Sequence, residues 1–215
     1  MDERDQISEA AHSGRQFDAA QAQIHGYMVY SYLSLSSFFP FISQFLANQN
    51  YFLYSGDLVD AFPGANLRSA QVADLKSTLA SLDPAVKLVR VCGNHDVGDI
   101  PTRESIQLYN DEFGADHFSF WINGCKFLAL NSQLYFNSTM AAEMKREQDE
   151  WLDNELTPDA TRPWKHLVVF QHVPLFLSRD DEPDDVYFNI AQRERAPLLA
   201  KLIKEGVRNV FFGHY

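Results

Sequence analysis

The 215-residue sequence predicts a mixed α/β (α+β) fold with mixed sheets, on three observations. Short β-branched or aromatic runs alternate with helical periodicities over residues 51–212, which is typical of strands joined by helices. Asn123-Gly124 separates two further apolar runs and predicts a type I′ hairpin, so part of the sheet is antiparallel. Four of the runs end in Gly or Gln followed by a side chain of the metal-ligand type. We therefore expect a functional site at the carboxyl ends of the strands, where ligands gather in open α/β sheets.

Residues 1–47 carry no visible chemistry, and we interpret them as an N-terminal segment that precedes a domain formed by residues 48–215. The spacing of apolar residues predicts a short helix over 17–24 and a helix over 27–47 that is broken near Pro40. The first twenty residues of that second helix are uncharged, but they include five Ser, a Gln and the proline. A membrane span needs about twenty predominantly apolar residues, so we expect none here.

The first half of the domain alternates strands and helices. Apolar residues at steps of three and four predict a helix over 72–82. Thr102 is the expected N-cap of a second helix, which Gly114 closes. The strands that flank the first helix are predicted over 51–55 and 86–92.

The second half opens with the hairpin and then alternates again, with Gly206 as the expected C-cap of its last helix. The predicted elements are strands over 117–122 and 125–130, a helix over 141–156, a strand over 166–171, a helix over 189–205 and a strand over 207–212. An acidic loop over 179–185 interrupts this pattern. A solvated loop and a substrate-facing loop that selects basic sequences are both open interpretations of it.

Net charge and cysteine content limit the partners. The formal charge of −11 argues against nucleic-acid binding and against an acidic membrane surface. It also repels phosphorylated substrates at long range, so their attraction would have to come from bound metal ions. Cys92 and Cys125 do not form a disulfide framework and are expected to be free thiols in a reducing compartment. The acidic start of the chain is unlike a signal peptide, and we expect a cytoplasmic protein.

The four strand ends offer metal ligands. Asp57 can bridge two cations with its carboxylate, and Asn94 offers a carbonyl oxygen. His172 and His214 offer imidazole nitrogens. Mixed nitrogen and oxygen ligands without thiolate favour Mn, Fe or Zn over Ca. A lone Gly-Asp turn or a lone core histidine would be unremarkable, but the ordered set at strand ends predicts a metal site or its remnant.

Two more polar residues follow Asn94 directly. His95 is placed to face substrate rather than metal and is a candidate general acid. Asp96 is expected to hold the His95 imidazole in one tautomer and to keep it protonated. These two residues are the predicted catalytic pair.

At these residues the sequence resembles the calcineurin-like metallophosphoesterases. The segments that carry the resemblance to the family's four motifs are Gly56-Asp57-Leu58-Val59-Asp60, Gly93-Asn94-His95-Asp96, His172 in Gln-His-Val-Pro, and Gly213-His214-Tyr215. The surrounding sequence is similar to the subgroup called calcineurin-like phosphoesterase domain-containing serine/threonine-protein phosphatases. The segments that resemble this subgroup are residues 118–121, 130–133, 148–152 and 170–177.

The resemblance implies a partial αββα metallophosphoesterase sandwich with mixed sheets. It implies that Asp57 bridges two ions, with the second ion completed by Asn94, His172 and His214. It also implies hydrolysis of phosphate monoesters, with phosphoserine or phosphothreonine in proteins as the substrate. In that family His95 would assist the leaving group.

The sequence also departs from the family pattern. No strand ending in D-x-H or D-x-Q is found in residues 1–50, and Tyr215 is the last residue, before the second His of G-H-x-H. One of the two family metal sites is therefore supported, and we expect an incomplete domain, a fragment that is weak or inactive. Loss of one ion removes several kcal/mol of transition-state stabilisation, or about 10³-fold in rate. A nucleotide or small-molecule phosphodiesterase and a non-catalytic truncated isoform are the alternatives.

Overall fold

The computed structural model describes residues 51–214 and, as backbone strands, residues 22–24 and 27–31. The strands are β1 (Ala22–Ile24), β2 (Tyr27–Ser31), β3 (Tyr51–Tyr54), β4 (Lys87–Arg90), β5 (Phe118–Ile122), β6 (Cys125–Ala129), β7 (His166–Phe170) and β8 (Asn209–Phe212). The helices are α1 (Arg68–Leu79), α2 (Asn94–Val97), α3 (Arg103–Phe113), α4 (Gln133–Phe136), α5 (Ala142–Leu156) and α6 (Gln192–Lys204).

Six of the strands form one mixed sheet in the order β1-β2-β8-β7-β6-β5. Its four central strands are parallel, and β1 and β5 are antiparallel to their neighbours. Strands β3 and β4 form a second, parallel sheet. The mixed sheets predicted from the sequence are confirmed.

Side chains alternate between the two faces of the six-stranded sheet, as the two-residue period of a strand requires. Leu128, Val169 and Val210 point into a core with helices α5 and α6. Their neighbours Phe127 and Phe170 point the other way, into a core shared with the β3–β4 sheet. Helices α1 and α3 cover the outer face of that second sheet through a third core. The layers are therefore helix, sheet, sheet and helix.

Local signals in the sequence have the predicted structural effect. The Thr102 hydroxyl accepts a hydrogen bond from the Ser105 N–H at 3.1 Å, and α3 starts at the next residue. Asn123 and Gly124 have φ values of 50° and 83°, which a type I′ turn requires at both positions. Gly206 ends α6 with a φ of 83°. The turn and cap predictions are confirmed.

The N-terminal helix predictions are wrong where the structure can test them. Residues 22–24 and 27–31 are strands, and β2 pairs in parallel with β8 through Val29 opposite Val210 and Tyr30 opposite Phe211. The edge of β8 supplies hydrogen-bond partners that overrode the helical spacing. The predicted break at Pro40 lies outside the described residues.

Other boundaries shift by a few residues. Helix α1 begins four residues before the predicted Val72, and the short helices α2 and α4 were not predicted. Within the described part of the chain, no helix has the length and apolarity needed to cross a membrane. Cys92 and Cys125 are both free thiols, as expected.

Candidate metal centre

The four predicted ligands all lie just beyond strand ends. Asp57 follows β3, Asn94 follows β4, His172 follows β7 and His214 follows β8. The two strands of each pair are parallel and adjacent, and the two sheets pack face to face. The carboxyl ends of the strands therefore meet at one edge of the sandwich, and the fold assembles ligands that are distant in sequence.

The ligand atoms converge on the Nε2 atom of His172. Asn94 Oδ1 lies 3.1 Å from it, His214 Nδ1 lies 3.0 Å from it and Asp57 Oδ2 lies 3.3 Å from it. The ligand atoms of Asp57, His172 and His214 lie within 4.8 Å of one another. Among residues 51–214, these three form the single cluster of this kind.

Hydrogen bonds on the outer side of each ligand fix which atom faces inward. His172 Nδ1 donates to the Ser55 carbonyl at 2.7 Å, and His214 Nε2 donates to the Tyr187 carbonyl at 2.9 Å. A carbonyl oxygen can only accept, so the proton of each neutral ring lies on the outer nitrogen. The inward nitrogens, His172 Nε2 and His214 Nδ1, are then left with bare lone pairs.

The amide of Asn94 is oriented in the same way. Its Nδ2 donates to Asp99 Oδ1 at 2.9 Å, so its carbonyl oxygen faces the cluster. Three ligand atoms, one each from Asp57, Asn94 and His214, thus lie 3.0–3.3 Å from His172 Nε2, and all four atoms can act as electron-pair donors. Metal–ligand bonds of about 2.1 Å would separate neighbouring ligand atoms by roughly 3 Å. The arrangement fits a divalent cation, and its nitrogen and oxygen donors are of the kind that Mn, Fe or Zn accept.

Glycines next to the ligands allow this close approach. A Cβ atom on Gly56 would lie 2.5 Å from Cγ of His172, and one on Gly213 would lie 2.8 Å from the Ser55 carbonyl. A Cβ atom on Gly93 would collide with the Asp57 side chain and backbone. The motif glycines are therefore required by space, and not only by turn geometry.

Two ligands occupy backbone conformations that L-residues rarely adopt. Asp57 has a φ of 55° and His214 has a φ of 64°. Left-handed backbone at non-glycine residues persists where the surrounding structure enforces it, and such residues are concentrated at functional sites. Burial lowers the pKa of His214 and the neighbouring His172 lowers it further, which keeps the ring neutral and able to bind metal at neutral pH.

His95 lies beside the cluster and is held by a different partner from the one predicted. Its backbone N–H donates to Asp57 Oδ1 at 3.1 Å. Its ring Nδ1 contacts the Asp60 carbonyl, and the ring packs on Phe62 with centroids 4.4 Å apart. The side chain keeps 23% of its surface exposed. It is therefore accessible to a substrate at the metal centre.

The expected contact of Asp96 with the His95 ring is wrong. The Asp96 carboxylate is buried and accepts hydrogen bonds from the Leu58 N–H at 3.0 Å and the Gly93 N–H at 2.8 Å. Burial raises the pKa of Asp96 to about 6, although these two donors oppose the rise. Asp96 therefore ties the Asp57 loop to the Asn94 loop. The carbonyl oxygen of Asp60, and not the Asp96 carboxylate, contacts the His95 ring.

Sequence reasoning missed several supporting residues. Asp99 and the Tyr187 carbonyl orient two ligands, as described above. The Ser132 hydroxyl accepts from the N–H groups of His172 at 3.2 Å and Val173 at 2.8 Å. Asp99 could have been found from its polar character five residues after Asn94. A backbone carbonyl leaves no such signal.

Two acids of the 179–185 loop accept hydrogen bonds from nearby backbone N–H groups. The Glu182 carboxylate accepts from three consecutive backbone N–H groups, those of Leu177, Ser178 and Arg179. Asp185 accepts from the N–H groups of Tyr187 and Phe188. These two carboxylates are therefore held by backbone N–H groups in and just beyond the loop.

A buried arginine holds the same loop from below. Arg195 of α6 has no exposed surface and donates to the carbonyls of Asp180 at 3.1 Å and Ile190 at 3.0 Å. It also contacts the Glu182 carbonyl. The loop is thereby fixed to the body of the domain, and it carries Tyr187 to the edge of the metal centre.

An open cleft of about 330 Å³ adjoins the metal centre on the side of β3. It is lined by residues 52–57, His172, Gly213 and His214. Three of the four candidate ligands, Asp57, His172 and His214, line this cleft. A small anionic group can therefore reach the cluster from solvent.

Comparison with known proteins gives a family and several named relatives. The family model described as calcineurin-like phosphoesterase matches residues 24–215. The chain is 46% identical over 165 residues to "Serine/threonine-protein phosphatase CPPED1" of Homo sapiens, covering 77% of this chain and 52% of that protein. The proteins of the same name from Mus musculus and Danio rerio are 44% and 41% identical, covering 77% and 81% of this chain and 53% and 56% of theirs.

The chain spans about half the length of the curated relatives it matches. The family match covers most of the chain and includes every predicted ligand. The chain belongs to the calcineurin-like phosphoesterase family.

Proposed function

We propose that this chain is a metal-dependent phosphoesterase that hydrolyses phosphate monoesters, with phosphoserine and phosphothreonine in proteins as substrates. The observation that carries the proposal is the convergence of ligand atoms from Asp57, Asn94 and His214 on His172 Nε2. The relatives named serine/threonine-protein phosphatase support the substrate class.

Asp57, Asn94, His172 and His214 would hold a divalent ion, which we propose to be Mn, Fe or Zn. When bound, such an ion acts as a Lewis acid on phosphoryl oxygens and lowers the pKa of a coordinated water. Asp57 is the ligand able to share a second ion of the kind that the family uses, because a carboxylate has two oxygens. Its other oxygen, Oδ1, accepts the His95 N–H.

We propose His95 as the group that gives a proton to the leaving oxygen. Its Nδ1 faces the Asp60 carbonyl, which can only accept, so Nδ1 carries a hydrogen. The remaining ring nitrogen, Nε2, is then the atom that takes up and releases a proton. Packing on Phe62 restricts the ring to this orientation. Asp96 acts indirectly, by holding the two loops that place His95 and Asp57.

The proposal is tested by metal content and turnover on one sample. The protein is treated with chelator, reloaded with Mn²⁺ and assayed for phosphate release from a phosphoserine peptide. We expect turnover that disappears on chelation and returns with metal. Elemental mass spectrometry gives the number of ions per chain, which decides between one occupied site and two. Equal turnover with and without metal would contradict the proposal, and no turnover with metal bound would favour the non-catalytic alternative.

Variants separate binding from chemistry. His172→Ala should lose both the ion and turnover. His95→Ala should keep the ion while losing about 10²–10⁴-fold in rate, the usual contribution of a general acid. Leu82→Ser, at an exposed apolar residue after α1, serves as the surface control and should change neither.

Two finer proposals follow. Phosphate monoesters should be preferred over diesters, and a higher rate on bis-p-nitrophenyl phosphate in the same assay would favour a phosphodiesterase instead. We also propose a cytoplasmic location, supported by the free thiols of Cys92 and Cys125. Localisation of a tagged protein in cells would test it.

A further inference from the structure

Four large apolar side chains are exposed in the chain segments that also carry metal ligands. They lie in the three loops that follow β3, β4 and β7, the loops that also carry Asp57, Asn94 and His172. We call these four side chains the apolar rim: Phe62 (37% exposed), Ile100 (49%), Val186 (95%) and Tyr187 (41%).

Two members of the rim touch the site directly. The Phe62 ring lies 4.4 Å from the His95 ring, centroid to centroid. The Tyr187 ring lies 4.6 Å from the His214 ring, and its hydroxyl lies 3.4 Å from Asn94 Nδ2. These aromatic side chains therefore come from different loops, and each packs against a different imidazole of the site.

The other two members are tied to the site by their neighbours in sequence. Ile100 follows Asp99, whose carboxylate holds the Asn94 amide. Val186 precedes Tyr187, whose carbonyl holds His214. The residues next to Ile100 and Val186 are thus hydrogen-bonded to metal ligands.

The same loops present both exposed apolar side chains and exposed charge, such as Asp60, whose side chain is 89% exposed. The chain carries a net charge of −11, yet the carboxylates of Glu182 and Asp185 are bound inside their own loop. Exposed aromatic side chains that pack against the imidazoles of a binding site are placed to contact what binds there. A phosphate group cannot use these apolar side chains, because a phosphate binds through charge and hydrogen bonds. The apolar rim is suited to contact the part of the substrate that carries the phosphate group.

We propose that the apolar rim contacts the polypeptide on either side of the phosphorylated residue and selects substrates with apolar side chains there. This inference rests on the proposed protein phosphatase function. The occupant is a phosphoserine or phosphothreonine segment with Leu, Ile or Phe beside the phosphorylated residue. Burial of such a side chain in an apolar site changes binding by about 10-fold or more.

The test uses binding, which does not depend on turnover. Two fluorescein-labelled peptides carry a non-hydrolysable phosphonate mimic of phosphoserine and have equal net charge. One has Leu and Phe beside the mimic, and the other has Ser at both positions. Fluorescence anisotropy on the Mn²⁺-loaded protein gives the two dissociation constants. We expect the apolar peptide to bind about 10-fold more tightly.

Variants assign the preference to the rim. Val186→Ser should reduce the preference about threefold, because Val186 is almost wholly exposed and its loss cannot disturb the core. Phe62→Ala should reduce it further. Leu82 is exposed to the same extent as Phe62 (38% against 37%) but lies outside these loops. Leu82→Ser should therefore keep the full preference.

Equal binding of the two peptides by the unmodified protein would overturn the inference, as would loss of the preference in Leu82→Ser. Failure to bind either peptide would also overturn it. Hydrolysis of free phosphoserine, which has no flanking residues, is measured in parallel. Turnover of phosphoserine without a peptide preference would leave the proposed function intact and refute the rim alone. A peptide preference without turnover of any phosphomonoester would refute the proposed function instead.

Discussion

Substitution of Gly56 by Ala should weaken metal binding through a single steric contact. The new Cβ would lie 2.5 Å from Cγ and 2.9 Å from Cε1 of His172, and closer still to Nδ1. Uncharged carbon atoms reach their optimal separation at about 3.5 Å, so the ring would have to move by about 1 Å. That movement breaks the hydrogen bond from Nδ1 to the Ser55 carbonyl and displaces Nε2 from the other donors.

The size of the effect follows from the role of the lost contact. Mutation of groups that orient metal ligands costs about 10–100-fold in metal affinity. This corresponds to about 1.4–2.8 kcal/mol of binding free energy. A displacement of about 1 Å at a reacting centre also costs on the order of 10² in rate. Both losses should appear in Gly56→Ala.

Gly64 provides a matched control. Gly56 and Gly64 both have positive φ, at 104° and 84°, so alanine is strained at either position by about 1–2 kcal/mol. No heavy atom lies within 4 Å of a Cβ built on Gly64. Gly64→Ala should therefore lower the free energy of unfolding by that strain alone and leave metal affinity unchanged.

Isothermal titration with Mn²⁺ measures the affinity, and denaturant unfolding of the chelated proteins measures stability. The reasoning is refuted if Gly56→Ala binds Mn²⁺ like the unmodified protein. It is equally refuted if Gly64→Ala loses the same affinity, because the effect would then come from backbone strain.

Three further predictions concern other parts of the molecule. Asp99→Ala should weaken Mn²⁺ binding about tenfold, because the Asn94 amide loses the acceptor that orients it. Asp99→Asn keeps an acceptor and should retain most of the affinity. Equal Mn²⁺ affinities for the two variants would contradict this prediction. Ellman's reagent at pH 8 should label Cys125 but not Cys92 in the folded protein, since burial raises the pKa of Cys92 well above its usual value, and a second labelled thiol before unfolding would count against it. Phe127→Ala should lower the free energy of unfolding by about 3–5 kcal/mol without changing metal affinity, because the ring is 1% exposed between the two sheets, and a loss below about 1 kcal/mol would be inconsistent.

The sequence was sufficient where the determining interactions are local. Asn123-Gly124 defines a hairpin turn because the two residues tolerate positive φ. Thr102 starts α3 because its hydroxyl reaches an N–H three residues away. The four ligands could be found because each is a polar residue directly after an apolar strand, a pattern that the core does not use.

The sequence was insufficient where the partner is distant. Residues 27–31 form a strand because β8 lies beside them, nearly 180 residues further along the chain. Asp96 lies next to His95, and adjacency suggested a contact, but its carboxylate points to the Leu58 N–H, 38 residues away. The acids of the 179–185 loop suggested a solvated charged surface, but the Glu182 carboxylate accepts a hydrogen bond from the Leu177 N–H.

The outer hydrogen bonds of the ligands explain how the chain can hold mutually repelling atoms together. The Ser55 carbonyl, the Asp99 carboxylate and the Tyr187 carbonyl each accept a hydrogen bond from the outer side of one ligand. These bonds keep the ligand atoms turned towards the centre. Asp57 and His214 also adopt left-handed backbone, which is unfavourable for both. The fold therefore holds the ligand atoms together against the repulsion between their lone pairs and against backbone strain at Asp57 and His214. A bound cation would remove this repulsion, so metal binding should raise the free energy of unfolding. A ligand present at 100 times its dissociation constant stabilises the folded state by about 2.7 kcal/mol.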